Sequence, residues 1–422
     1  MNTLLSADFK GFPHRQKPIE AHDVAAMGWN VLAGDLPWPL AVLKQSALAH
    51  NVEWMQRFVR ERGIDLAPHG KTTMSSQLFR RQLDAGAWGL TFATVAQARV
   101  GVVAGARRIL IANQVLGDED LAGIQALKAQ HPDLRLVFLV DSIAQLHLIE
   151  RWFSAHKSGS AFEVLLEVGV SGGRCGCRSH PEALELAHAL HASVAVRLVG
   201  IECYEGLAAK GQTDSDAAYA QALMDRVDRL AQDLDQQGLF EAEEVLVSAG
   251  GSAIFDLVAG RLKPSLSKPV RGLLRSGCYI THDHGQYRRM LTAVEQRCGC
   301  DDTLHPALEV WTCVQSRPEP GLAILTAGRR DVSYDLEMPI PFARAGLHER
   351  APRGIPSSWK ITGLNDQHAY LRWDPEEEAL APTVGERVGL GISHPCTTFD
   401  KWPWMPVVDD SYRVVDAILT RF

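Results

Sequence analysis

The sequence predicts an α/β fold: a (β/α)8 TIM barrel followed by a second, mostly β, C-terminal domain. Three observations predict it. Eight short apolar runs recur between residues 64 and 276, most of them separated by stretches with helical spacing of apolar residues. The runs are nearly continuous in apolar character, as in Leu136-Val137-Phe138-Leu139-Val140, which suits strands buried on both faces of a parallel sheet. After about residue 296 the helical spacing fades, and short alternating runs divided by Pro and Gly replace it. Eight strand–helix units point to the barrel. A doubly wound open sheet is the alternative from pattern alone.

Taken in order, residues 1–34 are irregular, broken by Gly11, Pro13, Pro18 and Gly28, and are expected to pack along the rest of the chain. A short strand is expected over 41–43. Ser46 then caps a helix reaching Arg62, with Leu48, Val52, Met55, Phe58 and Val59 on its apolar face. Barrel strands are expected at 64–67, 88–92, 108–112, 134–140, 162–168, 196–203, 244–248 and 272–276. Helices are expected at 95–104, 143–153, 181–191 and 215–237. The later alternating runs are 309–315, 322–325, 369–372 and 387–390. The expected division is a barrel over 35–300 and a β-rich domain over 301–422, with 1–34 joined to the latter.

Composition narrows the function. The chain has 422 residues, 46% hydrophobic and 22% charged, enough for a large core. Its 43 basic and 50 acidic residues leave a formal charge of -7, which argues against nucleic acid as a partner. No apolar run is long enough to span a membrane, and Met1-Asn2-Thr3-Leu4-Leu5 lacks the basic-then-apolar form of a secretory signal, so a cytoplasmic location is expected. Eight cysteines include the pairs Cys175/Cys177 and Cys298/Cys300. Each pair has a shorter gap than four-thiolate zinc sites use, so scattered reduced thiols are expected.

In a barrel of this kind the chemistry lies where strands end. The first strand ends in Ala67-Pro68-His69-Gly70-Lys71-Thr72. Pro68 breaks the ladder, Gly70 permits close approach, and Lys71 is presented as an amine. A desolvated lysine amine is a nucleophile toward carbonyls, that of pyridoxal phosphate among them. The third strand runs into Asn113-Gln114, the fifth into a glycine-dense loop bearing Arg174, and the sixth into Tyr204-Glu205-Gly206. Ser248-Ala249-Gly250-Gly251-Ser252 follows the seventh, where glycine N–H groups and serine hydroxyls suit a phosphate. Gly277 and Tyr279 follow the eighth. His394 and Cys396 lie two apart, so in a strand they share a face as a zinc-type pair. His282-Asp283-His284 reads as polar loop.

Pro68-His69-Gly70-Lys71-Thr72, read with Ser393-His394-Pro395-Cys396, resembles the D-serine dehydratase / D-threonine aldolase group. These are fold-type III pyridoxal-phosphate enzymes related to alanine racemase, and the resemblance spans about residues 40–402. It implies pyridoxal 5'-phosphate on Lys71. It implies cofactor contacts from His69, Arg174, Tyr204, Ser248, Gly250, Gly251, Ser252, Gly277 and Tyr279. It implies Zn2+, or another divalent metal, on His394 and Cys396. The aldolase branch resembles His-X-Asp at those positions, so Cys396 favours the dehydratase branch and zinc. The implied reaction turns a β-hydroxy D-amino acid, D-serine or D-threonine, into a keto acid and ammonia. Retro-aldol cleavage, racemisation and a non-catalytic cofactor carrier are the alternatives. Family members are commonly homodimers, and a small-molecule D-amino acid is the partner implied.

Overall fold

The computed structural model describes residues 4–156, 160–206, 209–347 and 349–422. Its eight-stranded parallel sheet contains Asp65–Leu66, Leu90–Phe92, Arg108–Gln114, Arg135–Val140, Phe162–Val168, Val196–Cys203, Val245–Ala249 and Val270–Leu274. From the second strand to the eighth, each pairs with its successor. The eighth returns to the first through Leu273–Asp65 and Leu274–Leu66. Trp88 N–H to Leu66 O (2.8 Å) and Thr91 N–H to Pro68 O (2.9 Å) join the first to the second, closing the barrel. Alternation along each strand turns one set of side chains inward. Leu110, Val137, Leu139, Leu165, Val199, Leu246 and Leu273 fill the barrel as a core of their own.

The outer helices bury apolar rows against the sheet. Helix His180–Ala192 buries Ala183, Leu186, Ala187 and Leu190, and a Ser179/Glu182 capping box fixes its start. The first helix is Gln45–Glu61, and Lys44 stands at its N-cap with no side-chain capping bond. Ser46 is therefore no cap. The preceding strand runs straight into the helix, and the Ser46 hydroxyl donates to Asp410 Oδ1 (2.7 Å) instead.

The second sheet has nine strands among the described residues. Leu308–Glu319 is its spine, antiparallel to Leu322–Leu325, to Arg387–Gly391 and to Leu40–Lys44. Leu40–Lys44 also pairs, in parallel, with Trp404–Val408. This corrects the expected division at one point: residues 40–44 are a central strand of the C-terminal sheet. Leu40, Ala41, Val42 and Leu43 are all fully buried, which requires cover on both faces and a neighbour on each edge. The N-terminal segment packs here as well. Phe12 meets Trp404 edge-on at 5.6 Å, and Trp404 Nε1–H donates to Lys10 O (2.8 Å). No helix among the described residues is long and apolar enough to cross a membrane.

Candidate active site

A cavity of about 550 Å³ opens at the C-terminal ends of the barrel strands, roofed by the second domain. His69, Lys71, Arg174, Tyr204, Gly250, Gly251, Ser252 and Gly277 line it from the barrel, and His394 and Cys396 from the other side. Residues far apart in sequence thus meet where the strand-end rule places chemistry.

Lys71 sits on a single turn, Gly70–Thr72, directly after the barrel strand. Gly70 is required by close approach: a Cβ there would meet Phe92 at 2.4 Å and Phe79 at 2.9 Å. His69 Nδ1 accepts the Lys71 N–H (3.4 Å), which ties the lysine's backbone to the imidazole. Burial, and the positive charges of Lys71, Arg275 and Arg174 around it, hold His69 well below its ordinary pKa, so the ring stays neutral.

Arg174 lies over the Tyr204 ring with its guanidinium carbon 5.0 Å from the centroid. Burial, aided by the Glu205 carboxylate, pushes the Tyr204 phenol up to about 12. Glu205 is fully buried and accepts the N–H groups of Gly250 (3.0 Å) and Gly251 (2.5 Å). Two donors expected to face a phosphate are therefore held by an internal carboxylate. Ser252 and the 277–278 main chain remain along the wall, with the Ser252 hydroxyl accepting the Cys278 N–H (3.4 Å).

Two expected cofactor residues lie outside the cavity. The Ser248 hydroxyl donates to Leu273 O (3.0 Å) and accepts from Arg275 (2.6 Å), because the last inward turn of its strand points it into the barrel wall. Tyr279 is buried, and its hydroxyl accepts from Gln82 Nε2 (3.1 Å) between the barrel and helix Ser76–Asp84. The loop after the eighth strand turns through Cys278–Ile280, so Cys278, not Tyr279, faces inward.

His394 and Cys396 are not in a strand. The strand ends at Gly391, Pro395 sets a helical turn, and Cys396 begins the short helix Cys396–Phe399. Both still line the cavity. His394 Nδ1 bonds Asp335 Oδ2 (2.6 Å), and Thr397 Oγ1–H donates to Asp335 Oδ1 (2.8 Å). These bonds hold the Asp335 carboxyl below its usual range. An ionised acceptor at Nδ1 leaves Nε2 as the free lone pair, the arrangement metal-binding histidines use.

Sequence reasoning missed Thr72, Glu202, Arg275, Gln286, Tyr287, Asp335 and the cavity role of Cys278. Glu202 and Arg275 form a buried ion pair lining the cavity, each with one nitrogen or oxygen lacking a partner among the described residues: Glu202 Oε2 and Arg275 Nε. Burial pushes Glu202 up to about 8, against the pull of Arg275. Their signal was a charge inside an apolar strand run, which in a parallel sheet marks either a functional site or a buried pair. Cys278 Sγ lies 3.6 Å from Cys396 Sγ, and a bond from Cys396 lowers Cys278 to about 6 while Cys396 rises. All eight cysteines are free. His282-Asp283-His284 is no exposed loop: Asp283 is buried and accepts the N–H groups of Gly285, Tyr287 and Arg288, at the start of helix Gln286–Cys298.

A lysine, unpartnered buried polar atoms and a glycine-rich wall fit pyridoxal phosphate. An oriented imidazole and a thiol lining the same cavity fit a soft divalent metal.

Comparison with known proteins supports this assembly. The family described as "Alanine racemase, N-terminal domain" matches residues 43–263, and "Putative serine dehydratase domain" matches 307–408. The D-threonine aldolase of Arthrobacter sp is 26% identical over 377 residues, covering 88% of this chain and 89% of the relative. The D-threo-3-hydroxyaspartate dehydratase of Delftia sp. (strain HT23) is 28% identical over 385 residues, covering 87% and 93%. The crystal structure of D-threonine aldolase from Filomicrobium marinum superposes with a TM-score of 0.77 at 24% identity, covering 93% and 96%. With a closed barrel, a C-terminal β domain and a lysine after the first strand, the chain belongs to the alanine racemase N-terminal domain family, in its fold-type III branch that carries a serine-dehydratase-type C-terminal domain.

Proposed function

We propose that the protein is a pyridoxal-phosphate- and metal-dependent lyase that dehydrates a β-hydroxy D-amino acid, D-serine or D-threonine, to a keto acid and ammonia. One observation carries the reading: Lys71 from the barrel and the His394/Cys396 pair from the second domain face the same cavity. Pyridoxal phosphate supplies an electron sink that acidifies the α-carbon, and a divalent metal supplies a Lewis acid for the β-hydroxyl. Lys71 would carry the cofactor, and His394 and Cys396 would hold the metal.

The chain's own groups do the rest. Lys71 would hold the cofactor, and its amine, once free, would take the α-proton. Neutral His69 braces the Lys71 turn without adding a competing positive charge. Arg174, a cavity-wall arginine with no carboxylate partner among the described residues, suits an anionic oxygen of the cofactor or substrate. Loss of water from the α- and β-carbons leaves an enamine, and its hydrolysis gives the keto acid and ammonia.

Relatives divide between reactions: aldolases of D-threonine and 3-hydroxy-D-aspartate, and a dehydratase of D-threo-3-hydroxyaspartate that has also been solved as a cysteine variant in a metal-free form. Product analysis decides for this chain. D-serine should yield pyruvate and ammonia, chelator should abolish the yield, and zinc should restore it. Glycine and acetaldehyde from D-threonine, without keto acid, would replace this reading by the aldolase one.

A further inference from the structure

The cavity brings two thiols together from the two domains. Cys278 belongs to the turn after the eighth barrel strand, and Cys396 opens the short helix Cys396–Phe399, 118 positions away in sequence. Their Sγ atoms are 3.6 Å apart, and the Thr72 hydroxyl touches both sulfurs, at 3.6 and 3.3 Å. Both cysteines are free, and both line the cavity. Cys278 is only 6% exposed, so a small reagent reaches it from the cavity.

The separation has a chemical meaning. Sulfurs in a disulfide are about 2.05 Å apart, so the pair must close by about 1.5 Å to bond. Side-chain rotation at the two residues gives travel of that order, and each sits on an element of only three or four residues. We propose that Cys278 and Cys396 are a site of oxidative modification, joined by a peroxide into a disulfide that a thiol reverses.

The step balances as follows. A thiolate of the pair attacks the peroxide O–O bond, hydroxide leaves and takes up a proton as water, and the sulfur becomes a sulfenic acid. The second thiolate attacks that sulfur, whose hydroxyl leaves with a proton as a second water. Each sulfur gives up one electron and the peroxide gains two. Two equivalents of a thiol return both cysteines by exchange.

The bond would tie the barrel to the C-terminal domain beside Thr72, the residue after Lys71. It would also take the Cys396 sulfur away from a metal and so silence the enzyme. That consequence rests on the metal-dependent reading above, whereas the bond itself does not, and the test separates the two.

Cofactor-loaded protein, with zinc and after chelator, is treated with hydrogen peroxide, alkylated and digested. Free thiols should fall from eight to six, with the Cys278 and Cys396 peptides linked. Dithiothreitol should restore all eight together with zinc uptake. Zinc should slow the linkage roughly tenfold or more, because a sulfur held by a metal is not free to attack. In Cys278→Ser the sulfenic acid on Cys396 has no partner. Dimedone should label it, and after prolonged peroxide dithiothreitol should no longer restore zinc uptake, since the sulfur passes on to sulfinic acid. The peptide map of the wild type stands whether or not that variant folds. Eight free thiols after treatment, or a link confined to Cys298 and Cys300, would overturn the proposal. A Cys278–Cys396 link that forms equally fast with and without zinc would uphold the modification site and remove Cys396 from the metal reading.

Discussion

At the scale of single residues, the site depends on which side chain a turn presents. Lys71 follows its strand by one turn, and Gly70 lets that turn sit against Phe79 and Phe92. Borohydride reduction of the cofactor-loaded protein should leave the pyridoxyl group on the peptide containing Lys71. Label on any other lysine would remove Lys71 from its role. Gly251 faces Tyr204, and a Cβ would come within 3.1 Å of the ring. Gly251→Val should therefore weaken cofactor affinity tenfold or more while metal content stays the same; spectrophotometric titration and metal analysis read the two separately. Tyr279 is the contrasting case, since its hydroxyl serves Gln82. Tyr279→Phe should cost about 1–2 kcal/mol of stability by leaving the buried Gln82 amide unpaired, with cofactor affinity unchanged. A large loss of affinity would return Tyr279 to the cofactor.

At the scale of elements, the turn 282–285 shows how a segment with metal-like residues is used structurally. The Asp283 carboxyl accepts N–H groups at the start of helix Gln286–Cys298, and His282 adopts a positive φ of 45° with 3% of its surface exposed. Burial lowers His282 to about 3. Its folded pKa is therefore below the unfolded value of about 6.5. The stability it permits is full above pH 6.5 and falls as pH drops toward 3, by about 1.4 kcal/mol per pH unit. Asp283 has the opposite sign: burial raises it to about 7, so its contribution is full below about 4 and is lost as pH rises toward 7. Asparagine tolerates positive φ. Comparing His282→Asn with wild type cancels the Asp283 contribution to first order. The variant should gain on wild type by about 1.4 kcal/mol for each pH unit between 6.5 and 4.5 in urea unfolding. Parallel pH profiles would show that His282 does not stay neutral.

At the scale of the whole molecule, the two domains share their chain. Leu40–Lys44 precedes the barrel but is a central strand of the C-terminal sheet, between Leu308–Glu319 and Trp404–Val408. A chain ending at residue 300 would leave that fully buried strand without either neighbour. Such a fragment should be insoluble, and co-expression of residues 301–422 should restore solubility and cofactor binding. A soluble, cofactor-binding fragment would mean that the barrel stands alone. The division matters to function, because the cavity takes Lys71 from one domain and His394 and Cys396 from the other.

Much of this was legible in residues read one after another. Strands buried on both faces must be apolar throughout, so all eight barrel strands showed in the sequence, and their ends pointed to His69, Lys71, Arg174, Tyr204, Gly251 and Ser252. Local chemistry also showed His394 and Cys396. The tertiary structure alone decided what depends on meeting across distance. Ser248 and Tyr279 occupy plausible positions in sequence, but side-chain direction sends their hydroxyls to Leu273 and Gln82. Glu205 stood beside Tyr204 as a polar neighbour, and only the fold carries its carboxylate to the Gly250 and Gly251 N–H groups. Asp335 has no local mark at all; it matters because a loop lays it against His394 Nδ1. Cys278 looked like one more scattered thiol, whereas Cys396 was marked by His394 two residues before it. Periodicity records which face a residue takes within its own element, whereas a binding site is set by the packing of elements on one another, and that brings these two sulfurs within 3.6 Å.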